Sequence, residues 1–109
     1  MELLFSYGTL QKGNVQWKLF GRSLKGSTDM LQGYKKSTIE ITDKNFLSKG
    51  EDSHQQTLIR TDNGDDYIEG TVLEITEEEL LLADRYEPSN YKRIEVKLHS
   101  GKTAWVYIA

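Results

Sequence analysis

The chain has 109 residues, of which 37% are hydrophobic and 28% charged, with three Phe, two Trp and six Tyr. That fits one globular domain over residues 1–109 and is too aromatic for a disordered segment. It has no cysteine, which excludes a disulfide scaffold, a thiolate metal site and a cysteine nucleophile, and its 14 basic and 17 acidic side chains give a net charge of −3, without the clustered basic surface that a nucleic-acid binder needs.

Residues 2–7 read as a first strand, apolar enough to lie in a core. They show neither the basic start nor the long apolar stretch of a secretory leader, so a cytoplasmic location is the expectation. The strand ends at Gly8, which can turn the chain sharply. Asn14 is positioned to cap a short helix running to Phe20, closed by Gly21. Residues 27–42 read as one or two strands, and residues 43–53 as a polar loop or irregular insertion. Residues 56–60 and 67–75 read as strands joined through Asp62-Asn63-Gly64-Asp65-Asp66, where Asn-Gly is the preferred pair for a tight hairpin turn. Thr76 with Glu79 forms a capping box that opens a helix over residues 76–86, halted before Pro88. The run Leu80 to Ala83 inside it, like every other apolar stretch of the chain, is far too short to span a membrane. Residues 91–98 and 102–108 alternate with period two around Ser100-Gly101, a second hairpin. Six or so strands with two short helices define an α+β domain whose sheet is expected to curl into a small mixed β-barrel with flanking short helices.

Two features carry chemistry. Tyr7-Gly8-Thr9-Leu10, where a strand ends on glycine, presents successive backbone N–H groups on one side; read alone it is either a nest for a carboxylate or phosphate or a plain strand-to-loop turn. Glu87 stands at the negative end of the helix dipole, where cations are usual, and Pro88 forces it out of helical geometry. Against the rings of Tyr86 or Tyr91 such a carboxyl acquires a raised pKa, the tuning a general base needs near neutral pH; otherwise it is an exposed side chain at a frayed end. Asp84, three residues back, adds like charge. Arg93 either fixes an anion or pairs with Glu95. His54 and His99 are isolated and read as surface residues, the acidic run 62–66 lacks the spacing of a calcium loop, and no serine has a base or elbow motif beside it, so no metal ligand set is expected.

Taken in order, Tyr7-Gly8-Thr9-Leu10, then Ala83-Asp84-Arg85-Tyr86-Glu87, then Tyr91-Lys92-Arg93, then Ala104-Trp105-Val106-Tyr107, the chain resembles the gamma-glutamylcyclotransferase-like family, in its branch of gamma-glutamylamine cyclotransferases and small avirulence-induced plant proteins. The resemblance covers residues 4–107. It implies a small mixed β-barrel and a reaction in which a small gamma-glutamyl amine or peptide is cyclised to 5-oxoproline with release of the free amine. By resemblance Glu87 is the catalytic glutamate, and Tyr7, Gly8, Thr9 and Leu10, with Tyr91, bind the substrate. Neither a metal nor any other cofactor is called for, and the implied partner is a small molecule rather than a nucleic acid or a membrane. Many relatives carry glycine after the glutamate where this chain has Pro88. The alternative reading is a non-catalytic binder of a small carboxylate or a partner protein on the same fold.

Overall fold

The computed structural model describes residues 1–109. The chain runs through β1 (Glu2–Ser6), a 3₁₀ turn (Thr9–Gln11), α1 (Gly13–Phe20), β2 (Gly26–Gln32), β3 (Tyr34–Glu40), α2 (Lys44–Leu47), β4 (His54–Arg60), β5 (Tyr67–Ile75), α3 (Glu77–Tyr86), β6 (Lys92–Lys97) and β7 (Thr103–Ile108). Five strands form one sheet in the order β2-β5-β1-β7-β6, and β3 with β4 forms a separate two-stranded ribbon. β1, at the centre, is antiparallel to β5 and parallel to β7, so Leu4 lies opposite Leu73 on one side and Trp105 on the other. The expected barrel does not close: β2 and β6 remain as free edges of the main sheet.

The strands were legible, but one connection was not. Residues 62–66 do not make a hairpin between β4 and β5, because β4 pairs with β3 while β5 pairs with β1 and β2. β2 and β3 instead form one bent arm, and β4 and β5 the other, with Gln32 opposite Tyr67 and Tyr34 opposite Arg60. Residues 61–66 therefore bulge opposite the single residue Gly33. Gly33, at φ 82°, donates its N–H to Asp66 O at 2.8 Å and accepts from Thr61 N at 2.7 Å. The positive φ in the bulge falls on Asp62, not on Asn63 or Gly64. The chain actually reverses in residues 41–53, read above as irregular. They contain α2, whose start is capped by the Asp43 carboxylate accepting from Asn45 N at 3.0 Å and Phe46 N at 3.5 Å, and Phe46 is buried.

Side-chain alternation along β1 sends neighbours to opposite faces of the sheet. Leu4 packs with Leu73, Ile75, Leu80, Ala83 and Tyr86 beneath the helices. Phe5 packs with Leu31, Leu58, Ile68 and Val106 on the other face. Gly70 lets Phe5 reach its place, since a Cβ there would lie 2.7 Å from the Phe5 ring and 2.6 Å from Ser6 O. α1 starts at Gly13, after Lys12, so Asn14 is not its cap. The helix grows directly out of the 3₁₀ turn, and its buried Gln16 staples the surrounding chain, donating to Leu10 O at 2.9 Å and accepting from Leu24 N at 2.9 Å. Gly21 closes α1 at φ 69°, as expected. α3 has the full capping box: Glu79 N donates to Thr76 Oγ1 at 3.1 Å, and Thr76 N to Glu79 Oε1 at 3.0 Å.

Candidate functional site

Because β1 occupies the centre of the sheet, its C-terminal end delivers residues 7–10 to the same end of the molecule as the C-terminus of α3. There a cavity of about 710 Å³ is lined by Tyr7, Gly8, Thr9 and Leu10, by Glu87, Pro88, Tyr91 and Tyr107, and by residues 50–52 and 54–56. Glu87, Tyr7, Gly8, Thr9, Leu10 and Tyr91, the site residues expected from the sequence, thus border one hollow. In the turn after β1, Gln11 N and Lys12 N donate back to Gly8 O at 3.1 Å and Thr9 O at 3.0 Å, whereas the amides of Gly8, Thr9 and Leu10 have no acceptor within the chain. These are the orphan donors of a helical first turn, a feature that suits an anion.

Glu87 ends α3 in extended geometry, with φ −65° and ψ 154°, the region that a following proline imposes. Its N–H still closes the helix on Ala83 O at 3.0 Å, while its side chain leaves the helix surface and lines the cavity. No side chain hydrogen-bonds or ion-pairs with its carboxyl. Burial pushes that carboxyl up to about 7; Lys49 works to lower it, and Glu51 and Asp84 add to the rise.

The surrounding tyrosines are neutral donors fixed by the backbone. Tyr7 OH donates to Tyr107 O at 2.6 Å and Tyr91 OH to Gln56 O at 2.7 Å. Burial, with a smaller contribution from Glu87, holds the Tyr91 phenol at about 12. Tyr7 is raised further, by burial first and then by Tyr91 and Glu87. Tyr107 OH donates to Asp84 Oδ1 at 2.6 Å, and Arg93 grips both Asp84 oxygens at 2.6 and 3.0 Å while its guanidinium stacks 4.6 Å over Trp105. Arg93 therefore pairs with Asp84, not with Glu95, and it leaves Glu87 alone. Burial works to raise the Asp84 carboxyl, but Arg93 and Tyr107 outweigh it and hold it below its ordinary value.

Glu51 and Lys49 went unremarked in the sequence. Glu51 accepts a hydrogen bond from Tyr86 OH, and Lys49 Nζ caps the end of α3 on Arg85 O at 3.2 Å and Tyr86 O at 3.0 Å. Their segment carries no motif; the one available signal was Asp43 three residues before Phe46, a capping pattern. His54 borders the cavity but is exposed, 3.8 Å from Asp52. His99 is also exposed, 3.3 Å from Gln32 Oε1. No three His, Asp or Glu side chains come together in a way that could hold a metal ion.

An α+β sheet whose central strand and longest helix bring free amides and an unpaired carboxyl to one cavity defines a class of small-molecule site. Residues 4–109 match the family model for gamma-glutamyl cyclotransferase, AIG2-like. The chain belongs to that family. Solved structures of the same fold include one named gamma-glutamyl cyclotransferase (21% identity, TM-score 0.73, covering 98% of this chain and 65% of that one). An Arabidopsis thaliana protein solved in solution is also similar (18%, TM-score 0.72, 98% and 61%), as is an uncharacterized Homo sapiens protein (22%, TM-score 0.74, 98% and 65%). At these identities the likeness is one of fold, and the chain spans about 61–65% of the length of these structures. No curated protein matches the sequence. No helix is long and apolar enough to cross a membrane.

Proposed function

We propose that the protein cyclises a small gamma-glutamyl amine or peptide to 5-oxoproline, releasing the free amine, with Glu87 as general acid and base. The observation that carries this reading is that an unpaired carboxyl raised to about 7 and the acceptor-free amides of residues 8–10 border the same cavity. Family membership supports it independently.

In this reading the amides of Gly8, Thr9 and Leu10 hold the substrate's α-carboxylate, which directs the α-amine toward its own γ-carbonyl. The α-ammonium first loses a proton, and the amine nitrogen then forms a bond to the γ-carbon. The bond from that carbon to the departing nitrogen breaks, leaving the five-membered lactam. In all, two protons leave the α-ammonium and two arrive on the released amine, so none is gained or lost overall. A carboxylate that accepts and then returns a proton serves both transfers, best when its pKa lies near the working pH. Because the attack is intramolecular, freezing one conformer of the glutamyl arm supplies much of the acceleration; well-oriented reactions of this kind gain on the order of 7–11 kcal/mol. Tyr7 and Tyr91 border the same space and stay protonated at neutral pH; with their protons given to Tyr107 O and Gln56 O, their hydroxyl oxygens are suited to accept from the substrate as neutral groups.

The test is a panel of gamma-glutamyl amines and peptides assayed for 5-oxoproline, with Glu87→Gln retaining ligand binding but losing product. Equal turnover by wild type and Glu87→Gln would reject Glu87 as the base. A gamma-glutamyl ligand that binds calorimetrically but is recovered unchanged from the wild type would favour a binding module instead.

A further inference from the structure

The connection between β3 and β4, residues 41–53, is far longer than a hairpin of two antiparallel strands requires. Its base is closed by Ile41 N donating to Ser53 O at 2.6 Å, and its side chains converge on the turn that bears Glu87. Asp43 Oδ2 accepts from Ser89 N at 2.8 Å. Lys49 Nζ donates to Arg85 O and Tyr86 O and stands 5.0 Å from the Tyr86 ring centroid. Glu51 accepts a hydrogen bond from the Tyr86 hydroxyl, and Phe46 packs edge-on against the same ring, 6.0 Å between centroids. The grip brackets Glu87, reaching residues 85 and 86 before it and residue 89 after it, and makes no hydrogen bond to Glu87 itself.

We propose that this connection is a clasp that positions the Glu87 carboxyl, with Lys49 and Glu51 as positioning residues of opposite electrostatic sense. The inference rests on the reading of Glu87 as the acid/base group. Around that carboxyl the titratable neighbours are Asp84 and Tyr86 from α3, Tyr7 from the end of β1, Tyr91 ahead of β6, Tyr107 from β7, and Lys49 and Glu51 from the clasp. Lys12, Asp52 and His54 share the cavity wall but are not among the charges that move Glu87. The tyrosines are neutral near pH 7, and Asp84 is already paired with Arg93. The clasp therefore supplies the cation that favours the Glu87 carboxylate and the unneutralised anion that opposes it.

The experiment follows the Glu87 carboxyl resonance by NMR across pH without substrate, assigning it by its loss in Glu87→Gln. Lys49→Met should move its midpoint upward by roughly half a unit or more, as expected on removing a nearby opposite charge. Lys49→Arg should restore the wild-type midpoint, and Glu51→Gln should move it downward. Where substrate is turned over, the acidic limb of kcat/KM should follow in the same two directions. A clasp that acted only as structural support would shift both variants the same way or neither, and either result overturns the proposal. If Lys49→Met does not fold, Lys49→Arg and Glu51→Gln decide it. Opposed shifts with no 5-oxoproline from any substrate would keep the clasp and discard the cyclotransferase reading; product with unmoved midpoints would do the reverse.

Discussion

The two ends of α3 treat the same residue type in opposite ways. At the N-terminus, Glu77, Glu78 and Glu79 lie in the first turn, where the helix dipole favours anions, and Glu79 both completes the capping box and accepts two bonds from Arg22, at 2.8 and 2.7 Å. Arg22 comes first among the causes that hold the Glu79 carboxyl down at about 2, against an opposing effect of burial. At the C-terminus, Glu87 faces the negative end of the dipole with no cation bound to it, and burial lifts it to about 7. One glutamate is a strut from α3 to Arg22 in the segment that follows α1; the other is a tolerated liability beside a cavity. Local rules are obeyed where the fold is being stabilised and broken where a carboxyl borders the cavity.

The sharpest way to break this contrast is to neutralise each end in turn. Glu87→Gln is expected to lower 5-oxoproline formation by about 10²–10⁴-fold, the usual contribution of a positioned acid/base group, while making the protein more resistant to urea above pH 7. Glu79→Ala should do the converse. Losing the cap and one partner of a partly buried pair, in which the Glu79 side chain is 12% exposed and Arg22 43%, is expected to cost about 2 kcal/mol in denaturant unfolding with turnover per folded molecule unchanged.

The pH dependence of stability should separate the ends further. The Glu87 pKa is higher folded than unfolded, so the folded state binds its proton more tightly. Its destabilising effect is absent below about 4.5, grows as the pH rises toward 7 and is complete above that. Glu79 is lower folded than unfolded, so its contribution is present above about 4.5 and is lost as the pH falls toward 2. Together these two groups place greatest stability in mildly acidic solution. Unfolding free energies measured from pH 3 to 9 should lose their alkaline decline in Glu87→Gln and part of their acid decline in Glu79→Gln. A full shift of the Glu87 size corresponds to roughly 3 kcal/mol, and a half-buried group should give less.

The contrast also explains what could be read from the sequence. The capping box at Thr76, the stop at Pro88 and the alternation in β6 and β7 are local signals, and the structure follows them. The pairing of Tyr7 to Leu10 with Glu87 across most of the chain came from the order of motifs, since nothing local connects them. The Asn63-Gly64 signal misled because a turn pair reports local flexibility, not which strands pair; tertiary pairing made it a bulge opposite Gly33. Residues 43–53 were opaque for the same reason. Asp43 carries the local signal of a cap for α2, but Lys49 and Glu51 are ordinary polar residues in sequence, and the contacts all three make with residues 85–89 are set by tertiary packing alone.

The smallest expected effect concerns Pro88. It is buried, it holds Glu87 at ψ 154°, and its carbonyl accepts from Tyr91 N at 2.9 Å, so it joins the turn that bears Glu87 to the start of β6. Pro88→Gly frees the unfolded chain and should cost about 0.4–1 kcal/mol in stability. It also lets Glu87 sample helical geometry, in which the side chain would swing back toward the surface of α3. Yet Asp43 still holds Ser89 N, and Lys49 still holds the carbonyls of Arg85 and Tyr86, so the turn remains pinned on both sides of the new glycine. Turnover should then fall only a few-fold in Pro88→Gly alone and much further when Asp43→Asn is added. A fall in the double variant no larger than the product of the two single effects would mean that proline and clasp act independently, and that Glu87 owes its direction to the proline by itself.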